Sequence, residues 1–245
     1  MIRLICLLIP LFFMQISVFA AEITIGAGVG LKNVVNDIST EYIKKNPDIK
    51  INKNFVASGV LAKQLESGAK IDIVIVANRE WMDYLKEKNH VNNSSITSFA
   101  YNTLVFAGKG IKRAESLNEV IKLDRIAIGS PKSVPAGEYA LEAFKNSGLD
   151  KQLEKKFVLT RDVRECLLYA ERGEVDGAFV YKTDALLSSA VVIWFSVPQE
   201  YYSRVVYLSA LSAAGAKNKY AAEFFSYINS DEGKKFLLKY GFEIR

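Results

Sequence analysis

At 245 residues, half of them hydrophobic, the chain is long enough for one large or two small domains with an ample buried core. Its 32 Lys and Arg against 27 Asp and Glu give a net charge of +5, compatible with attracting anions, but the charges are scattered and lack the interleaved aromatics of a nucleic-acid surface. Two cysteines and a single histidine are too few for a disulfide framework or for a zinc or copper site.

Residues 1–20 read as a secretory signal peptide. Arg3 supplies a positive start, Leu4 to Phe13 an apolar core, and Val18-Phe19-Ala20 the small residues before cleavage at Ala21 or Glu22. The apolar run is shorter than a bilayer span and contains Pro10, so export with cleavage is expected rather than anchoring. Cys6 leaves with this segment, and Cys166, without a partner, reads as a small buried hydrophobe.

The mature chain opens on ITIGAGVGLKNVVNDI, Ile23 to Ile38. The β-prone Ile23-Thr24-Ile25 meets a turn holding Gly26, Gly28 and Gly30, and Leu31, Val34, Val35, Ile38 and Tyr42 then recur at helical spacing. The first N–H groups of a helix lack intrahelical partners and carry the positive end of its dipole, so this turn is a ready anion site of unspecified chemistry. Ile49 to Val56 alternates as a strand, Ser58 is placed as N-cap of a helix from about Val60 to Ser67, and Ile71 to Ala77 has the apolar run of a parallel strand buried on both faces. Asn78 caps a further helix with Trp81, Tyr84 and Leu85 on its inner side.

The alternation then restarts. Thr103 to Ala107 is a strand, Ser116-x-x-Glu119 a capping box for a short helix through Lys122, and Arg125 to Gly129 a strand. Pro135 suits the first position of a helix that Gly148 stops; Thr160 or Arg161-Asp162 opens another through Glu171, Gly177 to Tyr181 is a strand, and Asp184 to Ser188 a short helix. Strands at Val191 to Phe195 and Val205 to Leu211 precede helices at about Lys217 to Ile228 and Asp231 to Tyr240, ended by Gly241. Two α/β series without a flexible linker predict two doubly wound α/β lobes joined by a hinge, with the ligand cleft between them at the strand ends. The expected lobes are residues 21–103 with 206–245, and residues 104–205.

Three further stretches could hold an anion. Ser58 at a helix start offers hydroxyl and amide, although a plain N-cap accounts for it in isolation. In SPKSVPAGEYA, Ser130 to Ala140, the proline pre-sets the helix while Ala136 and Gly137 leave the free amides approachable. In TRDVR the amide of Val163 lies in a first helical turn, and Tyr181 stands at the carboxyl end of its strand, where open sheets bind ligands and where a tyrosine also serves packing.

Taken in order, SGVLAKQLESGAKIDIVIVANREWMDY (Ser58 to Tyr84), VPAGEYALEA (Val134 to Ala143), DVRECL (Asp162 to Leu167) and VYKTDA (Val180 to Ala185) resemble the molybdate-binding proteins of bacterial ABC transporters, which are type II periplasmic binding proteins. The resemblance spans essentially the whole mature chain. It implies a monomeric periplasmic protein without a cofactor that takes up molybdate or tungstate and docks on a membrane permease. On matching positions it implies Ser58 as hydroxyl and amide donor, Ala136 and Val163 as backbone donors and Tyr181 as a hydroxyl donor. One position departs from the commoner family pattern: Gly30 stands where a serine is usual. Loss of one hydrogen bond to a charged ligand is worth about 1.5 to 3 kcal/mol unless another donor compensates. Another small anion, sulfate or a carboxylate, is the neighbouring reading. An enzyme is poorly supported, because the glycine turn lacks G-x-G-x-x-G spacing, no G-x-S-x-G occurs and His90 has no adjacent orienting acid.

Overall fold

A computed structural model describes residues 21–244, so the expected signal peptide lies outside the described residues. In chain order the first elements are β1 (Ala21–Ala27), α1 (Lys32–Lys45), β2 (Ile49–Phe55), α2 (Ser58–Glu66), β3 (Ile73–Val76), α3 (Arg79–Glu87), β4 (Thr97–Tyr101) and β5 (Leu104–Gly108). There follow β6 (Ile126–Gly129), α4 (Pro135–Asn146), α5 (Asp150–Leu153), β7 (Phe157–Thr160), α6 (Val163–Arg172), β8 (Gly177–Tyr181), α7 (Lys182–Ala185) and β9 (Val192–Ser196). The last are β10 (Val206–Leu211), α8 (Lys219–Ile228) and α9 (Asp231–Lys239).

These strands form two five-stranded sheets with the same plan. The first runs β2-β1-β3-β10-β4 and the second β7-β6-β8-β5-β9. In each, three strands are parallel and a fourth lies antiparallel beside them: β10, a later strand, beside β3 and β4, and β5, an earlier one, beside β8 and β9. The strand expected over Ile71 to Ala77 is the shorter β3, parallel to β1 but antiparallel to β10. It is still buried on both faces, because Ile73 and Ile75 enter one core while Val74 and Val76 enter another with Leu61, Met82 and Leu85. Such double burial explains the unbroken apolar run.

The chain passes between the sheets twice, from β4 to β5 and from β9 to β10, and the crossings lie side by side. Asn102 is buried at the first; its N–H donates to the Val205 carbonyl at 3.3 Å and its side-chain amide to Thr183 Oγ1 at 2.8 Å. Tyr202, beside the second, donates nothing from its backbone to the first, but its hydroxyl accepts the Leu104 N–H at 3.1 Å. The paired crossings are thus hydrogen-bonded to each other and to both sheets.

Several local expectations change. Ser58 is the first helical residue of α2 and not its N-cap, a place taken by Ala57 without any side-chain bond. The Ser116 side chain caps nothing; Glu119 instead accepts the Glu115 N–H at 2.9 Å over a 3-10 helix at Leu117–Lys122. The short helix expected at Asp184 to Ser188 begins two residues earlier, directly after Tyr181. Strand β4 is not among the expected elements, since its TSFAY sequence alternates too weakly; among the described residues it pairs with one strand, β10, and bridges Glu243 through Tyr101. Other terminators behave as expected: Pro135 is the first residue of α4, and Gly148 and Gly241 follow helices with φ of +73° and +81°.

Helix α4 lies so close to β6 that a Cβ on Gly137 would stand 1.8 Å from the Gly129 carbonyl oxygen. Only glycine permits that approach, which sets where the start of α4 points. Gly137→Ala is expected to lower stability by about 3 kcal/mol in urea denaturation. An unchanged midpoint would show that α4 can lift from β6 without penalty.

Candidate functional site

Between the two lobes is a small cavity of about 20 Å³, room for a single compact species. Its walls come from four strand-to-helix junctions, which bring together Gly28 to Gly30, Ala57 and Ser58, Val134 to Ala136, and Asp162 with Val163, while Tyr181 and Tyr207 close it. All five residues expected at the site, Gly30, Ser58, Ala136, Val163 and Tyr181, line this one cavity. Gly30 and Ser58 come from the first lobe, the other three from the second.

Each junction leaves donors at the cavity for a local reason. After β1 the Gly28 N–H donates to the Ile75 carbonyl at 3.1 Å and Leu31 N–H to Gly28 at 2.9 Å, so a 3-10 turn at Val29–Leu31 leads into α1 with Gly30 at its centre. Ser58 and Val163 are first residues of α2 and α6, and Ala136 is the second of α4, positions whose N–H groups have no intrahelical acceptor. At α6 the Asp162 carboxylate accepts the N–H groups of Arg164 and Glu165, both at 2.9 Å, and so leaves Val163 uncapped.

Ser58 is better placed as a donor than an N-cap would be. Its Oγ accepts the Ala77 N–H at 3.0 Å, so its acceptor side is used and its own hydrogen is available to the cavity. Tyr181 is 2% exposed, and its hydroxyl has no hydrogen-bond partner among the described residues. Burial raises its pKa well above the ordinary phenol value, which keeps the O–H as a donor. A buried hydroxyl left without a partner is unfavourable by about 1 to 3 kcal/mol, and an acceptor in the cavity would remove that penalty. The Tyr207 ring meets that of Tyr181 edge-on at 5.8 Å, and its oxygen accepts a long 3.4 Å bond from Asn102.

Behind these donors stands an ion pair. Asp184 is fully buried, with Oδ1 2.5 Å from Arg164 Nε, at angles outside those of a hydrogen bond. Burial pushes the carboxyl up to about 6, although Arg164 pulls the other way. Its Oδ2 lies 3.1 Å from where a Cβ on Gly30 would stand, so the departure at position 30 adjoins a carboxylate of the opposite lobe. Cys166 is fully buried with its sulfur 2.8 Å from Thr160 Oγ1, and burial pushes its thiol up to about 12, so it is a packing residue and a poor nucleophile.

Tyr207, Arg164 and Asp184 were not singled out from sequence. Tyr207 has the spacing of an ordinary strand residue, while Arg164 and Asp184 lie inside the stretches DVRECL and VYKTDA without any local sign that they meet. Among the described residues no group of three or more His, Cys, Asp or Glu stands together as a metal site.

Residues 23–243 match the family of bacterial extracellular solute-binding proteins. The chain belongs to that family. The chain is similar to the molybdate-binding protein of Haemophilus influenzae, 31% identical over 234 residues that cover 92% of this chain and 91% of that one. The molybdate-binding protein of Escherichia coli K12 is 30% identical over 232 residues, 91% and 90% of the two chains. The solved periplasmic molybdate-binding protein of Azotobacter vinelandii superposes with a TM-score of 0.81 at 16% identity, covering 91% of this chain and 99% of that one, which shows the shared two-lobed fold. This solute-binding protein is accordingly not an enzyme.

The buried ion pair gives a stability test. Removing one partner of such a pair leaves the other uncompensated, so Asp184→Ala is expected to lower stability by about 3 kcal/mol in chemical denaturation. A loss below about 1 kcal/mol would mean that solvent already compensates Arg164.

Proposed function

We propose that this chain captures a tetrahedral, fully deprotonated oxyanion, molybdate or tungstate, outside the cytoplasm and delivers it to the permease of an ABC importer. The observation that carries the reading is a cavity for one small species lined by uncapped helix-start amides and by a buried tyrosine hydroxyl without a partner. A dianion that carries no proton needs donors only, and amides at helix starts supply them together with the favourable end of the helix dipole. Monohydrogen phosphate would bring a proton into a cavity whose Asp162 carboxylate is already turned onto its own helix. Molybdate is also what the relatives from Haemophilus influenzae and Escherichia coli are named for binding.

In this reading Gly30, Ser58, Ala136, Val163 and Tyr181 hold the ligand, with the Ser58 and Tyr181 hydroxyls and the backbone N–H groups as donors. The lobes are residues 21–103 with 206–245 and residues 104–205. The ligand bridges them and stabilises the closed form that the permease recognises. The protein acts as a periplasmic monomer exported by its signal peptide, and the anion is cargo, with no cofactor required.

A thermal-shift panel of molybdate, tungstate, sulfate, phosphate and chromate tests the ligand class. At ~1,000 Kd a ligand stabilises by about 4 kcal/mol, so molybdate or tungstate should raise Tm by several degrees while phosphate does not. No shift with either metal oxyanion would overturn the reading, and a shift with sulfate alone would move it to sulfate. Ser58→Ala and Tyr181→Phe should each weaken binding by about 1.5 to 3 kcal/mol by calorimetry with the fold intact. Affinity indifferent to both would mean that the anion binds elsewhere.

A further inference from the structure

Outside the small cavity the lobes meet at a carboxylate that does not line it. Glu138, in the first turn of α4 in the second lobe, accepts hydrogen bonds from two side chains of α3 in the first lobe. Trp81 Nε1 donates to its Oε1 at 2.9 Å, and Asn78 Nδ2 donates to its Oε2. We propose that Glu138 is the clasp of the closed lobes, a positioning residue that sets how long the oxyanion stays bound by gripping Asn78 and Trp81. This rests on the reading that the cleft closes on a ligand.

The donors are preorganised. Asn78 is the N-cap of α3: its Oδ1 accepts the Trp81 N–H at 3.2 Å, which turns its amide nitrogen outward to Glu138. One asparagine therefore ends the helix and reaches the other lobe with opposite ends of the same amide. The indole is fixed by packing, since a Cβ on Gly59 would stand 2.7 Å from Trp81 Cζ2 and 2.8 Å from Ser133 Cα. Gly59 N–H also donates to the Ser133 carbonyl at 3.0 Å, a backbone bond between the lobes. Without a side chain at position 59, α2, the indole and the residues before α4 close to contact. None of Glu138, Asn78 or Trp81 lines the anion cavity.

The clasp also responds to protons. Glu138 lies at a larger cleft of about 710 Å³ that also holds Arg79, Glu80 and Asp83 of α3, Tyr139, Glu142 and Lys145 of α4, and Arg204 from the second crossing. Burial pushes its carboxyl up to about 7; Trp81 and Asn78 lower it, and Glu80, by its charge and by sharing a hydrogen bond, raises it. Opening the lobes returns water to the group and lets it relax toward 4.5. The closed form then binds the extra proton between those values, so closure is favoured as pH falls through 7 and this gain is lost as pH rises above it. Burial also pushes up the carboxyl of Asp184, fully buried where Glu138 is half-buried, but only to about 6.

The test uses the exported chain with molybdate, as wild type, Glu138→Ala, Glu138→Gln, Trp81→Phe and the Glu138→Ala/Trp81→Phe pair. Dissociation is followed by stopped flow, and the distance between the lobes by a spin-label pair without ligand. Glu138→Ala should speed dissociation about tenfold and lengthen the distance, and adding Trp81→Phe should do little more, because both remove the same contact. Glu138→Gln, which can still accept from Trp81, should dissociate at an intermediate rate. Wild-type affinity should be about fourfold higher at pH 6.5 than at pH 8, and Glu138→Gln should flatten that profile. If molybdate binds but the variants match wild type in rate, distance and pH profile, the clasp is overturned while the binding reading stands. If molybdate binds none of the proteins, the binding reading fails and the ligand-free distances still decide the clasp, for which additive effects of the two substitutions count as refutation.

Discussion

A helix must begin somewhere, and its first N–H groups find no partner inside it. In a protein interior such groups need an acceptor, which side-chain caps usually provide. Here the caps are withheld around one cavity: Ala57 and Val134 offer no side-chain bond to α2 and α4, and Asp162 satisfies Arg164 and Glu165 but not Val163. The tyrosine hydroxyl beside them also has no partner among the described residues. In the proposed reading an anion in the cavity would complete the hydrogen bonding of several helices at once, so that ligand and fold would share one energetic requirement. This is also why the site needs no positively charged side chain in contact: Arg164, the guanidinium nearest in sequence, is already paired with Asp184.

The convergence of those helix starts follows from topology. Both sheets have the same spatial plan, three parallel strands with an antiparallel one beside them, and in each the helices begin at the carboxyl ends of the parallel strands. The hydrogen-bonded crossings at Asn102 and Val205 turn these two edges toward each other. Residues 133 positions apart in sequence, Gly30 and Val163, thereby face a common space about the size of one small ion.

Local signals made most of the site legible. Pro135 before Ala136, the small residues after β1 and the tyrosine ending β8 are features of single junctions, and their chemistry survives folding unchanged. Ser58 was legible as a helix-start residue offering hydroxyl and amide, but not the bond its Oγ accepts from the Ala77 N–H, 19 residues away. Wholly illegible were pairs that meet only in the tertiary structure. Glu138 reads as an ordinary first-turn acid favoured by the helix dipole, and Trp81 as an inner-face aromatic; their hydrogen bond spans 57 residues and two lobes. Strand β4 escaped notice for a related reason, since an edge strand with one partner has little need of a strict apolar alternation.

Gly30 joins these levels. Considered alone, it removes a hydroxyl from a site built of donors, a loss of about 1.5 to 3 kcal/mol. Its surroundings reduce that difference. A Cβ at this position would stand 3.1 Å from Asp184 Oδ2, so a side chain would push a fully buried carboxylate of the opposite lobe or hold the lobes apart by a few tenths of an ångström. A serine hydroxyl there would also find, within reach, a carboxylate oxygen that has no other hydrogen bond, and its hydrogen would be divided between that oxygen and the ligand. Glycine avoids both effects and leaves its backbone amide against the cavity. Asp184 therefore constrains this position, and in the proposed reading the bond lost to the anion is weighed against closer contact between the lobes.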